Sequence, residues 1–599
     1  APSNRPTRTM SSTKTPSPNA GKKRGDASSA TPSNVALKVP KREEISPGSL
    51  QSPEVKNTPS ALYKNRTNMG AVTLDVKSPL AATGDETKSS ILSLSSASDR
   101  RCIIDHFVDT SASTGDSSAP PEPAVGVQQQ DFRYMFTTTD QRSAALDRSF
   151  SFMQEQLFKH AGLPSEVLAL HTPVGVPSQD GVVCFGRVCC EAAEGKINKT
   201  SVMLEGGRME GGQRVKLVLN EVPSYALFPG QFVVVEGINS SGGRMVVRNL
   251  CEGVPKPLPS TSPEQLRLTQ HGPAEGPGQG PGCQGGKPLR IMVASGPFCC
   301  SDNLDYEPLR DLLHQAAKLD PCDVLILTGP FVDANHPQVA KGSVEMTTEE
   351  GTLDAVDFDT LFNYKISGLI DSFFLANEDL NLQVVLVPSV NDAHHDHVYP
   401  QPPLGDAVEG GVNSPFFDGE KLFRLDIPNS KGGPLKRLVH CVGNPSMIQI
   451  NEVVVGVTST DVLMHLGKEE IAQRPPGSNR LERLVDHLLH QQSFYPLFPA
   501  PSGVQDAAPL DMRFNDKWRM PVSPDVLLVP SKLATFARRL TNGTLAVNPG
   551  QLAKGASGGT YAKLTVYPMP VEQLTQAAEA GAPIPHQVAE RTSLQIKRI

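Results

Sequence analysis

The sequence is most informative first in what it lacks. No stretch of about 18 consecutive apolar residues occurs in the 599-residue chain, so nothing in it reads as a membrane span. The ten cysteines contain no C-x-x-C pair, which argues against zinc ribbons and fingers. Two of the cysteine steps are vicinal, Cys189–Cys190 and Cys299–Cys300, a spacing too tight for a relaxed disulfide. Reduced, mostly buried thiols are therefore expected. Basic excess is missing too. A formal net charge of -7 argues against a protein whose main surface is a nucleic-acid groove, while a local basic patch stays open. The opening residues, APSNRPTRTM, carry no charged-then-apolar signal pattern, and without an initiator Met they read as the start of a fragment.

What is present divides along the chain. Residues 1–60 are rich in Ser, Thr, Pro and Lys and poor in large apolar side chains, so they read as a disordered linker. Ser/Thr-Pro steps recur at Thr15, Ser17, Thr31, Ser46, Ser52 and Thr58, and again at Ser78, as candidates for proline-directed phosphorylation. Two basic clusters, Lys22, Lys23, Arg24 and then Lys38, Lys41, Arg42, are spaced like a bipartite nuclear import signal, with a solvated charge run as the competing reading. Residues 61–165 form an extended and helical segment. In it, GAVTLDV reads as a strand, and Leu146, Phe150, Met153 and Leu157 form one helical stripe capped by Thr138 or Thr139 and closed by Gly162.

Residues 166–257 change to five short β-branched runs separated by Gly, Asn and Pro, the pattern of a small OB-type barrel. Its strands carry few aromatics (Phe185, Phe232) and several acids (Glu205, Glu221, Glu236), which favours a structural or protein-binding barrel over a DNA-binding one. Residues 258–288 read as a flexible Gly/Pro-rich insert. Residues 289–599 alternate strands and helices, the mark of a layered sheet with helices on its faces. The fold class is thus α/β plus all-β.

One stretch looks like chemistry. VPSVNDAHHDHVYPQPP, residues 387–403, packs Asp392, His394, His395, Asp396 and His397 into six positions. The strand–loop order around it resembles the calcineurin-like phosphoesterase fold. Active members of that fold carry a D-x-H block, a G-D-x-x-D block, a G-N-H-D/E block and a late G-H-x-H block at strand ends. Two metals about 3.5–4 Å apart share a bridging carboxylate there and activate a hydroxide. Laid onto this chain, the blocks keep their backbone and lose their ligands. The first ends Ala294-Ser295-Gly296. The second has Pro330 where the bridging acid would stand and keeps Asp333. The third has Asn391 for His and keeps Asp392. The late block, Val529 to Leu533, has no histidine, and VNPG at 547–550 remains as a closing turn. Asp333 and Asp392 are vestiges. The histidines after Asp392 have no partners in the other loops, so they are expected to order their own loop, with an adventitious single-metal site as the minor alternative. No catalytic residue, metal or cofactor is expected.

An inactivated phosphoesterase sandwich with an inserted OB barrel resembles the B-subunit family of eukaryotic replicative DNA polymerases, and most closely its DNA polymerase alpha–primase branch. LFPGQFVVVEGINSSGGRMVVRNLCEGVP, LTGPFVDANHPQV, GVTSTDVLMHLGKEEI and VNPGQLAKGASGGTYAKL carry the likeness. The resemblance implies that part of 61–165 belongs to the phosphoesterase-like domain, and that the chain begins inside a linker following a small helical domain. It further implies a non-catalytic nuclear scaffold for DNA replication that binds the C-terminal region of the catalytic subunit. Primase subunits and other replisome proteins would be partners in the complex, with weak or no direct DNA contact. A single-strand-binding OB protein and the B subunit of another replicative polymerase are the alternatives.

Overall fold

The computed structural model describes residues 59–78, 102–107 and 136–599, apart from 161, 163, 193–194, 273–283, 343, 349–350, 378–379, 405–425, 428–435, 476–478 and 502–506. Thr15, Ser17, Thr31, Ser46, Ser52 and Thr58, and the basic positions Lys22, Lys23, Arg24, Lys38, Lys41 and Arg42, lie outside the described residues.

In chain order, the elements that position the site begin with strands β1 (Val72–Val76) and β2 (Ile104–His106) and helix α1 (Thr139–His160). Strands β3 (Gly181–Cys190), β4 (Val202–Glu205), β5 (Arg214–Val218), β6 (Phe232–Ile238) and β7 (Arg244–Cys251) follow. Helix α2 (Pro263–His271) leads to strand β8 (Leu289–Ser295), helix α3 (Glu307–His314), strand β9 (Val324–Thr328), helix α4 (Gly368–Leu375) and strands β10 (Gln383–Val387) and β11 (Val439–Cys441). Then come β12 (Ser446–Ile450), β13 (Val453–Val457), helices α5 (Val462–Glu469) and α6 (Arg480–His490), β14 (Val526–Leu528), β15 (Phe536–Arg539) and β16 (Leu545–Asn548). The chain closes with β17 (Thr560–Val566), helix α7 (Val571–Ala580) and β18 (Thr592–Arg598).

Two sheets face each other. The first runs β1-β18-β17-β8-β9-β10-β11, and the second β2-β12-β13-β14-β16-β15. Strands β8 to β11 pair in parallel, as do β13, β14 and β16. The near-continuous apolar runs of β9 and β10, each buried at every position, fit sheets covered on both faces. Between the sheets, Ile291, Val293, Ile326 and Val385 meet Ile448, Val455, Leu528 and Val547 in one core. Helices cover the outer faces. Leu309, Leu312 and Leu313 of α3 join a core with Leu325, Leu327 and Leu386, and Leu463, Leu484 and Leu488 of α5 and α6 join one with Met447, Val454 and Leu527. The result is an αββα sandwich.

Strands β1 and β2, far ahead of the barrel in the chain, complete one edge of each sheet: β1 pairs with β18 and β2 with β12. Strands β3, β4, β5, β7 and β6 close into the expected five-stranded barrel. Helix α1 begins where the threonines predict. Thr138 Oγ1 accepts from the Gln141 N–H at 3.2 Å, and Gln141 Oε1 accepts from the Thr138 N–H at 3.1 Å, a reciprocal capping pair.

Composition misleads in one place. It predicts a flexible insert over 258–288, but α2 lies within the first part of that segment, while its Gly/Pro-rich centre, 273–283, lies outside the described residues. Ser262 caps α2, Leu266 is fully buried, and Gln270 donates to Glu452 Oε1 at 3.0 Å. A leucine and an amide facing a core outweigh the Gly/Pro content around them.

Candidate functional site

Ligands in an α/β sheet of this kind come from loops at the carboxyl ends of the parallel strands. The loops after β8, β9 and β10 therefore carry the candidate site. At its centre, Asp392 is 3 % exposed, and its carboxylate is spent on backbone. Oδ1 accepts from the amides of Phe331 at 2.5 Å and Val332 at 3.0 Å, and Oδ2 from that of Ser389 at 2.8 Å. Burial pushes this carboxyl up, to about 7, against the three N–H groups that favour its charged form; neighbouring Asp333 adds to the rise. Asp392 thus staples the β9 loop to the β10 loop, and Asp333 and Asp392 also face each other in an isolated antiparallel bridge. Asp333 Oδ1 accepts from the Asn335 N–H at 2.9 Å, closing its own turn.

The neighbouring positions leave little room. A Cβ on Gly296 would stand 2.1 Å from the Pro330 carbonyl oxygen, and one on Gly329 would stand 2.5 Å from Asp392 Oδ2. Backbone and the Asp392 carboxylate fill the space into which side chains at these positions would project. Ala294 is fully buried in β8. Across the sandwich, Asn548 plays the part Asp392 plays here. Its Oδ1 accepts from the amides of Ser531 and Gly550, each at 3.0 Å, and its Nδ2 donates to the Ala534 carbonyl at 3.1 Å. That pins the Val529–Leu533 loop.

The histidines diverge. His394 stacks on Phe362, with centroids 4.2 Å apart, and burial, then His395, pushes its imidazole down to about 3. It lies 4.0 Å from Asp392 Oδ1. His395 Nε2 contacts the Pro402 carbonyl at 3.0 Å, and His397 Nδ1 the Val390 carbonyl at 2.7 Å. His395 and His397 thus order different parts of their own loop, while His394 packs on Phe362. Among the described residues no three His, Cys, Asp or Glu side chains gather as a metal-holding group.

The barrel's aromatic face is covered. Phe185 and Phe232 stack at 5.8 Å, and Phe150 of α1 sits edge-on to both, 4.8 Å and 5.9 Å away. Phe158 closes on Phe185 from the next turns of α1. A nucleobase would need one of these ring faces free to stack. Most of the barrel's cations are matched by acids, while Lys199 bonds Gln473 and Arg244 has no ion pair among the described residues. Arg187 and Arg214 share Glu205, Lys216 meets Glu191, Arg248 meets Glu221, and Arg208 meets Asp147. Burial alone would raise the Glu205 carboxyl, but the two guanidinium groups outweigh it and hold it below the usual range.

The barrel is bolted to the sandwich. Gln491, just past α6, accepts from the Phe232 N–H at 2.8 Å and donates to the carbonyls of Phe232 at 3.0 Å and Glu252 at 2.8 Å. Gln492 donates to the Val254 carbonyl at 3.0 Å. Ile471–Gln473 pairs antiparallel with Tyr225–Leu227 of the barrel. Beneath this, Glu470 receives a two-pronged bond from Arg483, at 2.7 and 2.9 Å, and a contact from His487 at 3.0 Å. Burial opposes ionisation there, yet these partners hold the carboxyl at about 2.

The structure therefore brings Asp333 and Asp392 together, as the phosphoesterase-type order of the loops suggests, and leaves the histidines apart. Ser78 is buried, with its hydroxyl donating to the Glu590 carbonyl at 2.7 Å, so as a phosphorylation candidate it is shielded in the folded chain. Sequence reasoning misses both Gln491 and the aromatic lid on α1. An amide at a helix end carries no signature, and the Phe150 stripe reads equally as core.

A barrel fixed to an αββα body that has organised its loop ends with backbone staples defines a class, and the comparisons place it. A family model for the B subunits of DNA polymerases alpha and epsilon matches residues 291–538, and one for the OB domain of the DNA polymerase alpha B subunit matches 143–253. The DNA polymerase alpha B subunit of Mus musculus is 32% identical over 537 residues, 89% of this chain and 74% of the mouse protein. That of Schizosaccharomyces pombe is 31% identical, over 73% of this chain and 68% of its own length. That of Rattus norvegicus is 35% identical over 66% of this chain and 56% of its own. The chain belongs to the family of DNA polymerase alpha B subunits.

Proposed function

We propose that this chain is a non-catalytic scaffold of the DNA polymerase alpha–primase complex, built on an inactivated phosphoesterase-like sandwich. It binds the C-terminal region of the catalytic subunit through a surface shared by barrel and sandwich, and supports RNA–DNA primer synthesis at the start of DNA replication in the nucleus. The observation that carries this reading is the Gln491 junction. A barrel free to move would not need an amide bonded to three of its backbone groups, and a rigid junction suits a surface that must meet one partner across both parts. A stable contact between subunits buries more than about 2,000 Å² in total, more than a small barrel offers alone.

The absence of catalysis rests on Asp392, Gly296 and Gly329, whose surroundings are closed by backbone. Pro330 and Asn391 supply no acid or imidazole where a phosphoesterase would. Direct DNA contact is weak in this reading, because the barrel's stacked rings are covered and most of its cations are paired. The Ser/Thr-Pro tract and the basic clusters of 1–60 serve regulation and nuclear import. Each phosphate would add about -1.5 to -2 charges beside the basic residues and weaken an importin contact.

Co-purification of the full chain with the C-terminal region of a polymerase alpha catalytic subunit is the test. A stoichiometric complex that survives high salt supports the scaffold. No complex refutes it. A complex retained in full by the sandwich without the barrel refutes the shared surface.

A further inference from the structure

A crevice opens where three parts of the molecule meet. Leu146, Ser149 and Met153 of α1 form one wall, Arg187 and Phe232 of the barrel another, and Phe498, Met512, Asn515, Trp518 and Arg519 the third. Its lining is mostly apolar, and Trp518, only 5 % exposed, is part of it.

Two cations near the rim, Arg148 and Arg519, have no ion-pair partner among the described residues. Arg519 donates to Ser149 Oγ at 2.8 Å and lies over the Phe152 ring, 4.5 Å from its centroid. Among the described residues no carboxylate is within ion-pair distance of it. Burial lowers its proton affinity, the charge of Asp516 partly offsets this, and Arg148 adds a smaller lowering. Arg148 is exposed, one turn before Phe152 on the same helix, and makes no ion pair among the described residues. Lys256 Nζ lies 5.6 Å from the Phe152 centroid on the same side of the molecule. On the barrel, by contrast, Arg187, Arg208, Arg214, Lys216 and Arg248 each have an acid. Within the lining, Asn515 Oδ1 is buried without a hydrogen-bond partner, although Asn515 is 3 % exposed and its Nδ2 is fully used on α1. A buried acceptor of this kind is costly unless a donor reaches it.

We infer that this crevice is a docking site for an acidic polypeptide segment, with one bulky apolar side chain seated among Leu146, Met153 and Trp518 and flanking carboxylates against Arg148 and Arg519. A backbone N–H of the segment would satisfy Asn515 Oδ1. Two similar cations held close repel each other, and an anion between them turns that repulsion into attraction. A polypeptide fits better than a nucleic acid. The Phe152 ring is flanked by Arg519 and Lys256, and Phe185 is buried under Phe150, so neither ring offers a base an open face. The site stands whichever polymerase subunit the chain meets.

The chain has one tryptophan, so Trp518 reports on this crevice alone. The full chain is titrated at low salt with an unlabelled peptide carrying one leucine flanked by aspartates, with tryptophan emission as the readout. The same peptide with lysines for the aspartates, and an oligothymidylate of matched charge, are titrated in parallel. The acidic peptide should change Trp518 emission, and Arg148→Glu should weaken it roughly tenfold, since that exposed side chain makes no hydrogen bond or ion pair among the described residues. The lysine peptide should do nothing. No emission change, a change indifferent to Arg148→Glu, or equal response to the lysine peptide would overturn the site. Tighter binding of the oligothymidylate with the same dependence on Arg148 would make it a nucleic-acid site and overturn the polypeptide assignment.

Discussion

The side-chain amide of Gln491 bonds both polar groups of one barrel residue, accepting from the Phe232 N–H at 2.8 Å and donating to the Phe232 carbonyl at 3.0 Å. It mimics a strand neighbour for the barrel's β6 at the point where the sandwich begins. Gln491→Ala would orphan these groups and take one of two donors from the Glu252 carbonyl, which keeps Gln231 Nε2, and is expected to cost about 2 kcal/mol or more in urea denaturation. Gln491→Glu should be at least as harmful at neutral pH, because its second oxygen would face two carbonyls. Losses within about 0.5 kcal/mol for both would show that the junction is held by other contacts.

The aromatic lid gives a second expectation. Phe150 meets Phe185 and Phe232 edge-on, and its ring also lies where a side chain on Gly207 would project, 2.8 Å away. Truncating it leaves a gap against two rings. Phe150→Ala should cost about 2–3 kcal/mol, and Phe150→Leu clearly less. Thermal melts of the two variants against wild type test the order; equal losses would mean that the edge-on ring geometry contributes nothing beyond volume.

Much of the architecture was legible because period and composition decide it locally. The apolar runs of β8, β9 and β10 could only be buried strands, and the Thr138–Gln141 capping pair was written three residues apart. At the loop ends, residue type alone shows that Pro330 offers no side-chain donor atom. What Asp392 does instead was not legible. An acid after a strand reads as a ligand, and only the folded loops show three amides converging on it. Helix α2 was hidden for a similar reason. Its order comes from Glu452, nearly two hundred residues away, which Gln270 reaches at 3.0 Å.

Metal should not matter to this fold. A ligand that binds only the native state raises stability in proportion to the logarithm of its concentration over its dissociation constant. With Asp392 bonded to backbone, His395 and His397 turned to separate carbonyls and His394 stacked on Phe362, excess manganese should leave the melting temperature unchanged, and so should a chelator. A phosphodiester hydrolysis assay with manganese should show no turnover. A manganese-dependent rise in melting temperature that disappears in Asp392→Ala would establish a metal site in the loops.

Asp392 also predicts a pH dependence. Its carboxyl is raised from 3.8 in the unfolded chain to about 7, with burial as the largest cause. The folded chain therefore holds this proton more tightly than the unfolded one. The stability that protonation contributes is fully present below about pH 4, is lost as pH rises toward about 7, and is absent above it. Asp392→Asn carries no titrating proton there, and it sets an NH₂ group against an amide donor, from Ser389 or from Phe331 and Val332. The variant should be less stable than wild type at every pH, by about 1–3 kcal/mol from the opposed donors. The wild-type advantage should then shrink between about pH 5 and pH 8, because only wild type loses the protonation contribution. Urea denaturation of both proteins at the two pH values measures it. An advantage that stays constant between pH 5 and pH 8 would mean that the three N–H groups outweigh burial and keep the carboxylate charged throughout, reversing the direction assigned to its pKa.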